Sequence, residues 1–308
     1  MRVIMQPLDR RSFLKISGTA AAAAALGNVR TLAKDIPVKP PARAIKKGVN
    51  LGMVQTKGSV SDKFQLLKSL GFDGVELNRP GGPGADEISE AREASGIAVG
   101  NIIDSAHWGK TLSDPNPEVR AQGLEALKTA LRDAHAFGCP NVLLVPAVVN
   151  KNVSYADAYT RSQEEIRKAI PLAEELKVSI NIENVWNQFL LSPIEAARYI
   201  DEFQSPWVGW HFDVGNIINY GWPEQWIRIL GKRIRCLHIK EFSRTKRDRE
   251  GLLKGFDAEL MEGDCDWPAV MKALDEIGYA GWAIAEIPGG DETRLKTIAG
   301  LMDRIFAL

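Results

Sequence analysis

The strongest constraint on the fold is an alternation, from Gly48 onward, of short apolar runs and longer amphipathic segments. Short apolar runs rich in β-branched residues are typical of buried parallel strands, and the segments between them have the spacing of surface helices. Strands are predicted at residues 48–55, 74–77, 97–104, 141–147, 179–185, 208–214, 235–242 and 282–287. This pattern predicts an α/β protein, a single-domain (β/α)₈ TIM barrel with its functional groups at the carboxyl ends of the strands.

Local signals at helix ends support this alternation. Asn116 followed by Pro117 is typical of a helix start, the sequence SPIE at residues 192–195 is a capping box, and Gly71 is typical of a helix end. Residues 243–264 are longer, charged and glycine-containing, and this predicts a functional loop or lid. A doubly wound open sheet is the main alternative, but the chain has neither a GxGxxG nor a P-loop motif to support it.

The N-terminal segment carries a different signal. A twin-arginine sequence, DRRSFLK at residues 9–15, precedes a mildly apolar, alanine-rich run, and small residues end at Ala33. This pattern is typical of a twin-arginine export signal, and the run is too short to predict a membrane span; the alternative is a basic start before a chance alanine-rich helix. We predict a signal over residues 1–33, a linker over 34–46 and the barrel over 47–308, in a periplasmic protein.

Composition narrows the class of function. The chain has 39 basic and 39 acidic side chains and no long basic block, so we expect a small-molecule substrate and no nucleic-acid partner. Cys139, Cys236 and Cys265 are odd in number and widely spaced, and they define no disulfide framework. The export machinery is the partner that the N-terminal signal implies, and a homo-oligomer formed through the outer helices is compatible with such a barrel.

Metal-binding groups end four neighbouring predicted strands. The stretch WVGWHFDVGN at residues 207–216 reads as a buried strand, yet it contains Asp213, and a buried carboxylate needs a cation, a donor or water. Glu183, His238 and Glu286 end the fifth, seventh and eighth strands. Each residue singly has a structural alternative, as an ion pair, a core histidine or a helix cap, but four in succession favour one shared site. We predict one divalent ion, Mn²⁺ ahead of Mg²⁺, Co²⁺ or Zn²⁺.

The order and spacing of six short segments carry a family resemblance. They are GFDGVELN at the second strand, NIENVWN at the fifth, WHFDVGN at the sixth, LHIKEF at the seventh, then EGDCDW, and AEIPGG at the eighth. In these segments the chain resembles the xylose isomerase-like barrel superfamily of sugar phosphate isomerases and epimerases, near ketose 3-epimerases, hydroxypyruvate isomerases and inosose dehydratases. The resemblance implies a metal-dependent sugar isomerase or epimerase in which Glu183 and Glu286 are the acid/base pair.

The chemistry that the resemblance implies starts with removal of a proton next to a carbonyl. The metal then stabilises the enediolate, and the second glutamate returns a proton from the other face. Elimination of water can begin from the same enediolate, so a lyase or dehydratase acting on a keto-sugar or keto-glycoside is the first alternative. A nuclease resembling endonuclease IV would need more histidine ligands. A periplasmic sugar-binding module is the non-enzyme alternative.

Two further side chains share the inward face of the strands that carry metal ligands. Lys240 follows His238 by two positions, so the strand period aims it inward, where it can polarise a carbonyl; we predict a catalytic role. A salt bridge to Glu76 or Glu241 is the alternative for Lys240. His211 precedes the ligand of the sixth strand by two positions and is predicted to face the same way, with a core histidine as the alternative.

Other residues are predicted to contact the substrate. By the resemblance, Arg244 matches a substrate-binding arginine, whereas Asn216 stands where the epimerases carry a substrate-binding histidine, a departure that favours the lyase alternative. Aromatic rings can stack on a sugar face, although they more often pack in a core. The predicted substrate-binding residues are Glu76, His107, Trp108, Trp186, His211, Asn216 and Arg244.

Overall fold

Eight parallel strands pair in sequence order, and the last strand pairs with the first, which closes the barrel. A computed structural model describes residues 43–308. The strands are β1 (Lys46–Asn50), β2 (Gly74–Arg79), β3 (Ala98–Asp104), β4 (Asn141–Leu144), β5 (Ser179–Glu183), β6 (Val208–Asp213), β7 (Ile234–Ile239) and β8 (Trp282–Ala285). The predicted (β/α)₈ TIM barrel is confirmed.

Helices follow the strands and cover the outside of the barrel. They are α1 (Val60–Ser69), α2 (Ala85–Ser95), α3 (Pro117–Ala136), α4 (Tyr155–Leu176), α5 (Pro193–Asp201), α6 (Val214–Ile218), α7 (Pro223–Leu230), α8 (Arg244–Glu250), α9 (Trp267–Glu276) and α10 (Glu292–Phe306). None of the helices in residues 43–308 has the length and apolar character needed to cross a bilayer.

The first strand starts and ends earlier than predicted. Asn50 ends it because its side chain accepts a hydrogen bond from the backbone N–H of Gly52 and starts a short 3₁₀ helix at Leu51. At the other end, the guanidinium of Arg43 pairs with Asp275 at 2.7 Å and also donates to carbonyls at the C terminus. Residues 43–46, which the sequence placed in a linker, are therefore part of the barrel unit. The predicted signal and the rest of the linker lie outside the described residues.

The helix-end signals act as predicted, with one exception. The Asn116 side chain accepts from the backbone N–H of Glu118 and begins α3, and Gly71 ends the first helix with a φ of 82°. Ser192 accepts from the backbone N–H of Glu195. The reciprocal half of this capping box is absent, because the Glu195 carboxylate instead accepts from the Tyr155 hydroxyl and the Leu191 N–H.

The segment after β7 is more ordered than the predicted loop. It forms α8 and a 3₁₀ helix at Leu252–Asp257, and the buried Glu241 carboxylate holds both of its ends. This carboxylate accepts from the backbone N–H groups of Phe242, Met261 and Cys265 and from the Trp267 indole, at 2.9–3.1 Å. Four donors offset the cost of burying the charge, so Glu241 organises the segment and does not pair with Lys240.

The inside of the barrel is packed at its amino end around one tryptophan. Trp282 forms a small cluster with Cys236 and Ile284, separate from the main core between strands and helices. A Cβ atom at Gly74 or Gly100 would lie 2.5 or 2.4 Å from the Trp282 ring, so these two positions accept only glycine without rearrangement. The carboxyl end of the barrel is left for polar groups.

Candidate metal centre and active site

The four predicted metal ligands meet at the carboxyl end of the barrel. Glu183 and Asp213 are the last residues of β5 and β6, His238 lies one residue before the end of β7, and Glu286 follows β8 directly. Parallel pairing places Asp213 beside His238 and brings these strand ends together. Their donor atoms all lie within 4.8 Å of one another. His238 Nδ1 is 3.3 Å from carboxylate oxygens of both Glu183 and Glu286.

The donor atoms fit a divalent cation. Among the described residues, Asp213 Oδ2, His238 Nδ1 and Glu286 Oε2 are buried atoms without a hydrogen-bond partner of acceptable geometry. Buried polar atoms are normally satisfied, but the polar neighbours of these three are the other cluster residues and the Lys240 ammonium, an arrangement that a divalent cation would complete. Three carboxylates and one imidazole are the oxygen-rich donor set that hard and borderline divalent ions prefer.

Asp213 has two separate tasks. One carboxylate oxygen, Oδ1, accepts from the backbone N–H of Asn216 at 2.8 Å and begins α6, so the helix-cap role is real. The other oxygen, Oδ2, faces the ligand cluster. Asn184, which the sequence analysis missed, fixes this residue: its amide donates to the Asp213 carbonyl and accepts from the Asp213 N–H. The sequence signal that could have identified Asn184 is its position directly after Glu183.

Glu76 lies behind the cluster and not in the substrate pocket. It is fully buried, and its carboxylate accepts from the side-chain amides of Asn50 and Asn101 at 2.8 and 2.6 Å. His238 Nε2 lies 2.9 Å from the same carboxylate and donates to it. Because Nε2 is held in this way, Nδ1 of His238 faces the ligand carboxylates. The predicted substrate contact of Glu76 is wrong on geometry, because no part of it is exposed.

Lys240 is drawn into the ligand cluster. Its Nζ lies 3.0 Å from Asp213 Oδ2 and also contacts Glu286 Oε2, whereas the alternative partners, Glu76 and Glu241, have other contacts. Burial works to lower the pKa of Lys240, but the charges of Asp213, Glu286 and Glu183 outweigh it and raise that pKa above its ordinary value. The side chain is therefore an ammonium group next to the predicted acid/base pair.

The two glutamates of that pair have different surroundings. Burial raises the pKa of Glu183 to about 7, against the opposing effect of His238. Burial also disfavours the charged form of Glu286, but His238 and Lys240 together hold the pKa of Glu286 well below its ordinary range. Two carboxyl groups in one site whose pKa values are pushed apart are typical of an acid/base pair.

A cavity of about 430 Å³ opens onto the cluster. Polar members of its wall that the sequence analysis missed are Asn78 and Ser105. The predicted residues that line it are His107, Trp108, Glu183, Asn216, Lys240 and Glu286. The Trp108 ring is half exposed at the cavity, as a sugar-stacking side chain must be, while the Asn216 amide already donates to the carbonyl of Asn184.

His107 presents a defined hydrogen-bond donor to this cavity. Its Nδ1 lies 3.2 Å from the backbone N of Val145, which can only donate, so Nδ1 accepts and Nε2 carries the proton. Burial lowers the pKa of His107 to about 4, against a smaller opposite effect of Glu286. The ring is thus neutral near pH 7, and its free N–H is directed at whatever occupies the cavity.

Three predicted substrate contacts lie elsewhere. The Arg244 guanidinium donates to the carbonyls of Ile218 and Gly221, so it supports backbone outside the cavity. The Trp186 indole donates to the Asn216 carbonyl and lines a neighbouring cavity instead. His211 is fully buried beside His238, with ring centroids 4.1 Å apart, and burial keeps its pKa well below the ordinary value. The strand period predicted correctly that His211 faces inward, but His211 is not part of the cavity wall.

Known proteins match both parts of the chain. A model of the xylose isomerase-like TIM barrel matches residues 64–305. The chain belongs to the xylose isomerase-like TIM barrel family. A model of the twin-arginine translocation signal matches residues 7–27 and indicates export by that route.

Several known proteins are similar to the chain over most of its length. L-ribulose-5-phosphate 3-epimerase UlaE of Escherichia coli O1:K1 / APEC is 25% identical over 244 residues, which cover 73% of this chain and 81% of that protein. A structure of L-ribulose 3-epimerase has a TM-score of 0.70 at 17% identity and covers 85% of this chain and 94% of that one. The apo structure of 3-keto-D-glucoside 4-epimerase YcjR from E. coli has a TM-score of 0.70 at 16% identity. It covers 86% of this chain and 100% of that one. The structural similarities show the shared barrel, and the predicted isomerase class agrees with these relatives.

Proposed function

We propose that this protein is an exported sugar isomerase or epimerase that transfers a proton at a carbon next to a carbonyl. Glu183, Asp213, His238 and Glu286 would hold one divalent ion, for which Mn²⁺ is our first expectation. The observation that carries the proposal is the position of Glu183 and Glu286, which belong to the ligand cluster and also line the same cavity. A carboxylate pair at a cation is the arrangement that such a proton transfer requires.

Each polar side chain of the cavity has a separate role in the proposed reaction. Glu183 and Glu286 exchange the proton, one removing it and the other returning it from the opposite face. A divalent ion held by the four ligands would supply positive charge that favours the enediolate. Lys240, an ammonium beside Glu286, adds a second positive charge where an oxyanion develops. His107 donates its Nε2–H to a sugar oxygen, and Trp108 offers a ring face for stacking.

The cavity favours a sugar without a phosphate group. Lys240 is the only cationic side chain among the residues that line the catalytic cavity, and it already contacts two carboxylates. A phosphate ester would bring about two negative charges without a free cation to receive them. The substrate we propose is therefore a neutral keto-sugar or polyol ketone, met in the periplasm after export.

A lyase is the second candidate, and Lys240 is the observation that favours it. Its ammonium group contacts Glu286, so a proton donor lies beside one member of the proposed acid/base pair. Elimination requires such a donor for the departing oxygen, after the same removal of a proton next to a carbonyl. The two reactions differ in product, because elimination leaves an unsaturated or dicarbonyl compound.

The test combines metal analysis with deuterium exchange. We expect the purified protein to bind close to one divalent ion and to incorporate deuterium from D₂O next to the carbonyl of at least one keto-sugar. Glu183→Gln and Glu286→Gln should each lower this exchange by about 10³-fold or more, and the exposed Glu125→Gln should not. Absence of bound metal together with absence of exchange would refute the proposal, and the labelled product separates isomerase from lyase.

A further inference from the structure

A second cavity of about 330 Å³ adjoins the catalytic one, and Val185 lines both. We name it the apolar subsite, formed by Val185, Trp186, Gln188, Leu191, Asn219, Tyr220 and Leu252. The two cavities differ in chemistry. The catalytic cavity contains carboxylates, a lysine and a histidine, whereas the apolar subsite has five apolar or aromatic side chains, two amides and no charged group.

The apolar subsite leaves large hydrophobic side chains open to water. Leu191, Tyr220 and Leu252 are 55%, 46% and 51% exposed, respectively. A group of exposed apolar side chains that converge on a cavity marks a binding site more often than a single exposed residue does. Because Val185 belongs to the walls of both cavities, the two are immediate neighbours, as a substrate that occupies both requires.

The wall of the apolar subsite is built with a strained backbone. Gln188 and Leu190 have φ angles of 61° and 54°, in the left-handed region that disfavours side chains. Surrounding groups hold this conformation: the Asn187 amide donates to the Ala147 carbonyl, and the Leu190 N–H donates to the Tyr155 hydroxyl. A strained segment that is fixed from outside indicates a preformed surface and not a loose loop.

We infer that the apolar subsite binds an apolar, aromatic-sized substituent of a substrate whose keto-sugar ring occupies the catalytic cavity. The substrate class is then a keto-glycoside with an apolar aglycone, and not a free monosaccharide. The amides of Gln188 and Asn219 supply hydrogen bonds for oxygens near the glycosidic link. This inference rests on the proposed function and adds the substrate class to it.

The test measures binding of matched phenyl and methyl glycosides to the Mn²⁺-loaded protein by calorimetry. Phenyl and methyl β-D-glucosides, galactosides and xylosides share a sugar and differ only in the apolar group, and they lack the keto group needed for turnover. We expect the phenyl member of at least one pair to bind about 10-fold more tightly. Leu252→Ser should reduce this advantage by about 5-fold, because one apolar wall is removed.

The adjacent leucine is the matched control. Leu253 is 69% exposed but does not line the apolar subsite, so Leu253→Ser should leave the phenyl advantage unchanged. Equal binding of phenyl and methyl members in every pair, or no binding of any phenyl glycoside, would overturn the inference. Equal losses in the two serine variants would also overturn it. A further contradicting result would be a wild-type dimer in sedimentation that Leu252→Ser dissociates. The exposed leucine would then belong to a contact between two copies of the chain.

The outcomes separate this inference from the proposed function. Deuterium exchange on free keto-sugars with no preference for phenyl glycosides would overturn only the substrate class. Preferential binding of phenyl glycosides without exchange on any keto-sugar or keto-glycoside would support the apolar subsite and overturn the proposed chemistry.

Discussion

The two ends of the barrel treat buried polar groups in opposite ways. At the amino end, Asn181 donates to Asn141 and accepts from Ser179, and Asn141 donates to the carbonyl of Gly100, all at 3.0 Å. At the carboxyl end, several buried polar atoms of the ligand cluster form no hydrogen bond of acceptable geometry with the described residues and contact mainly one another and Lys240. A satisfied network stabilises a fold, whereas unsatisfied atoms that converge need something from outside.

Cavity size alone would indicate the opposite end of the barrel from the proposed site. A cavity of about 520 Å³ lies at the amino end, larger than the catalytic cavity, and its wall includes Trp207, Trp282, Lys46 and Arg235. The Lys46 ammonium lies 5.2 Å from the centre of the Trp282 ring. These groups satisfy one another or face water, and none of the metal-ligating clusters found in residues 43–308 lies there. Convergent chemistry therefore identifies the functional end better than volume does.

After the loss of either glutamate of the acid/base pair, the largest effect should come from removing the ammonium group at the carboxyl end. Lys240→Met keeps an unbranched side chain of similar shape, shorter by the terminal atom, and removes the charge that contacts Asp213 and Glu286. We expect turnover to fall by about 10²- to 10³-fold, because the developing oxyanion loses a positive charge. Affinity for the divalent ion should rise, because a competing cation is gone. Titration with Mn²⁺ beside the kinetics checks both, and lower metal affinity would show a purely structural role.

Glu76 tests whether the ligand histidine is held from behind. Glu76→Gln replaces the carboxylate that receives the His238 Nε2–H, at nearly the same volume. We expect metal affinity to fall about 10- to 100-fold. The unfolding free energy should fall by about 1–3 kcal/mol, because the amide NH₂ that replaces one carboxylate oxygen faces a buried donor. Chelator competition measures the affinity. An unchanged affinity would mean that His238 is oriented by its other neighbours.

Asp104 tests whether a buried carboxyl group outside the proposed metal cluster also lowers the free energy of unfolding. It is the last residue of β3, is buried, and burial raises its pKa to about 7, against a backbone hydrogen bond from Ala106. With a raised folded-state pKa, its contribution to stability is full below about pH 4 and is lost as pH rises through about 7. The unfolding free energy of Asp104→Asn minus that of wild type should therefore increase by about 2 kcal/mol from pH 5 to pH 8. Urea unfolding at both pH values measures this difference.

The smallest effect should come from the amino end. Asn181→Leu removes a donor to Asn141 and an acceptor for Ser179 from a satisfied network. We expect a loss of about 1–2 kcal/mol in unfolding free energy with metal affinity and turnover unchanged. Denaturation and metal titration of the same preparation provide the check. A change in metal affinity would show that the two ends are coupled.

Much of this organisation was predictable from the sequence. The alternation of strands and helices, the caps at Asn116 and Ser192, and the positions of the four ligands at strand ends are encoded within a few residues of each other. Strand period and helix capping are short-range properties, and in a closed barrel the place along a strand already determines which end a side chain occupies. The sequence therefore determined the fold and the end at which the ligands gather.

Other features were decided only by tertiary structure. Glu76 and His238 are 162 positions apart, and nothing local in either strand predicts that their side chains hydrogen-bond. The Nε2-protonated tautomer of His107 depends on the backbone N–H of Val145 in the next unit. Arg244 has the spacing expected of a substrate-binding arginine, but its guanidinium donates to backbone carbonyls of the preceding unit. Depth inside the barrel and contacts between distant strands depend on how the whole sheet closes, because register and tilt are properties of all eight strands together.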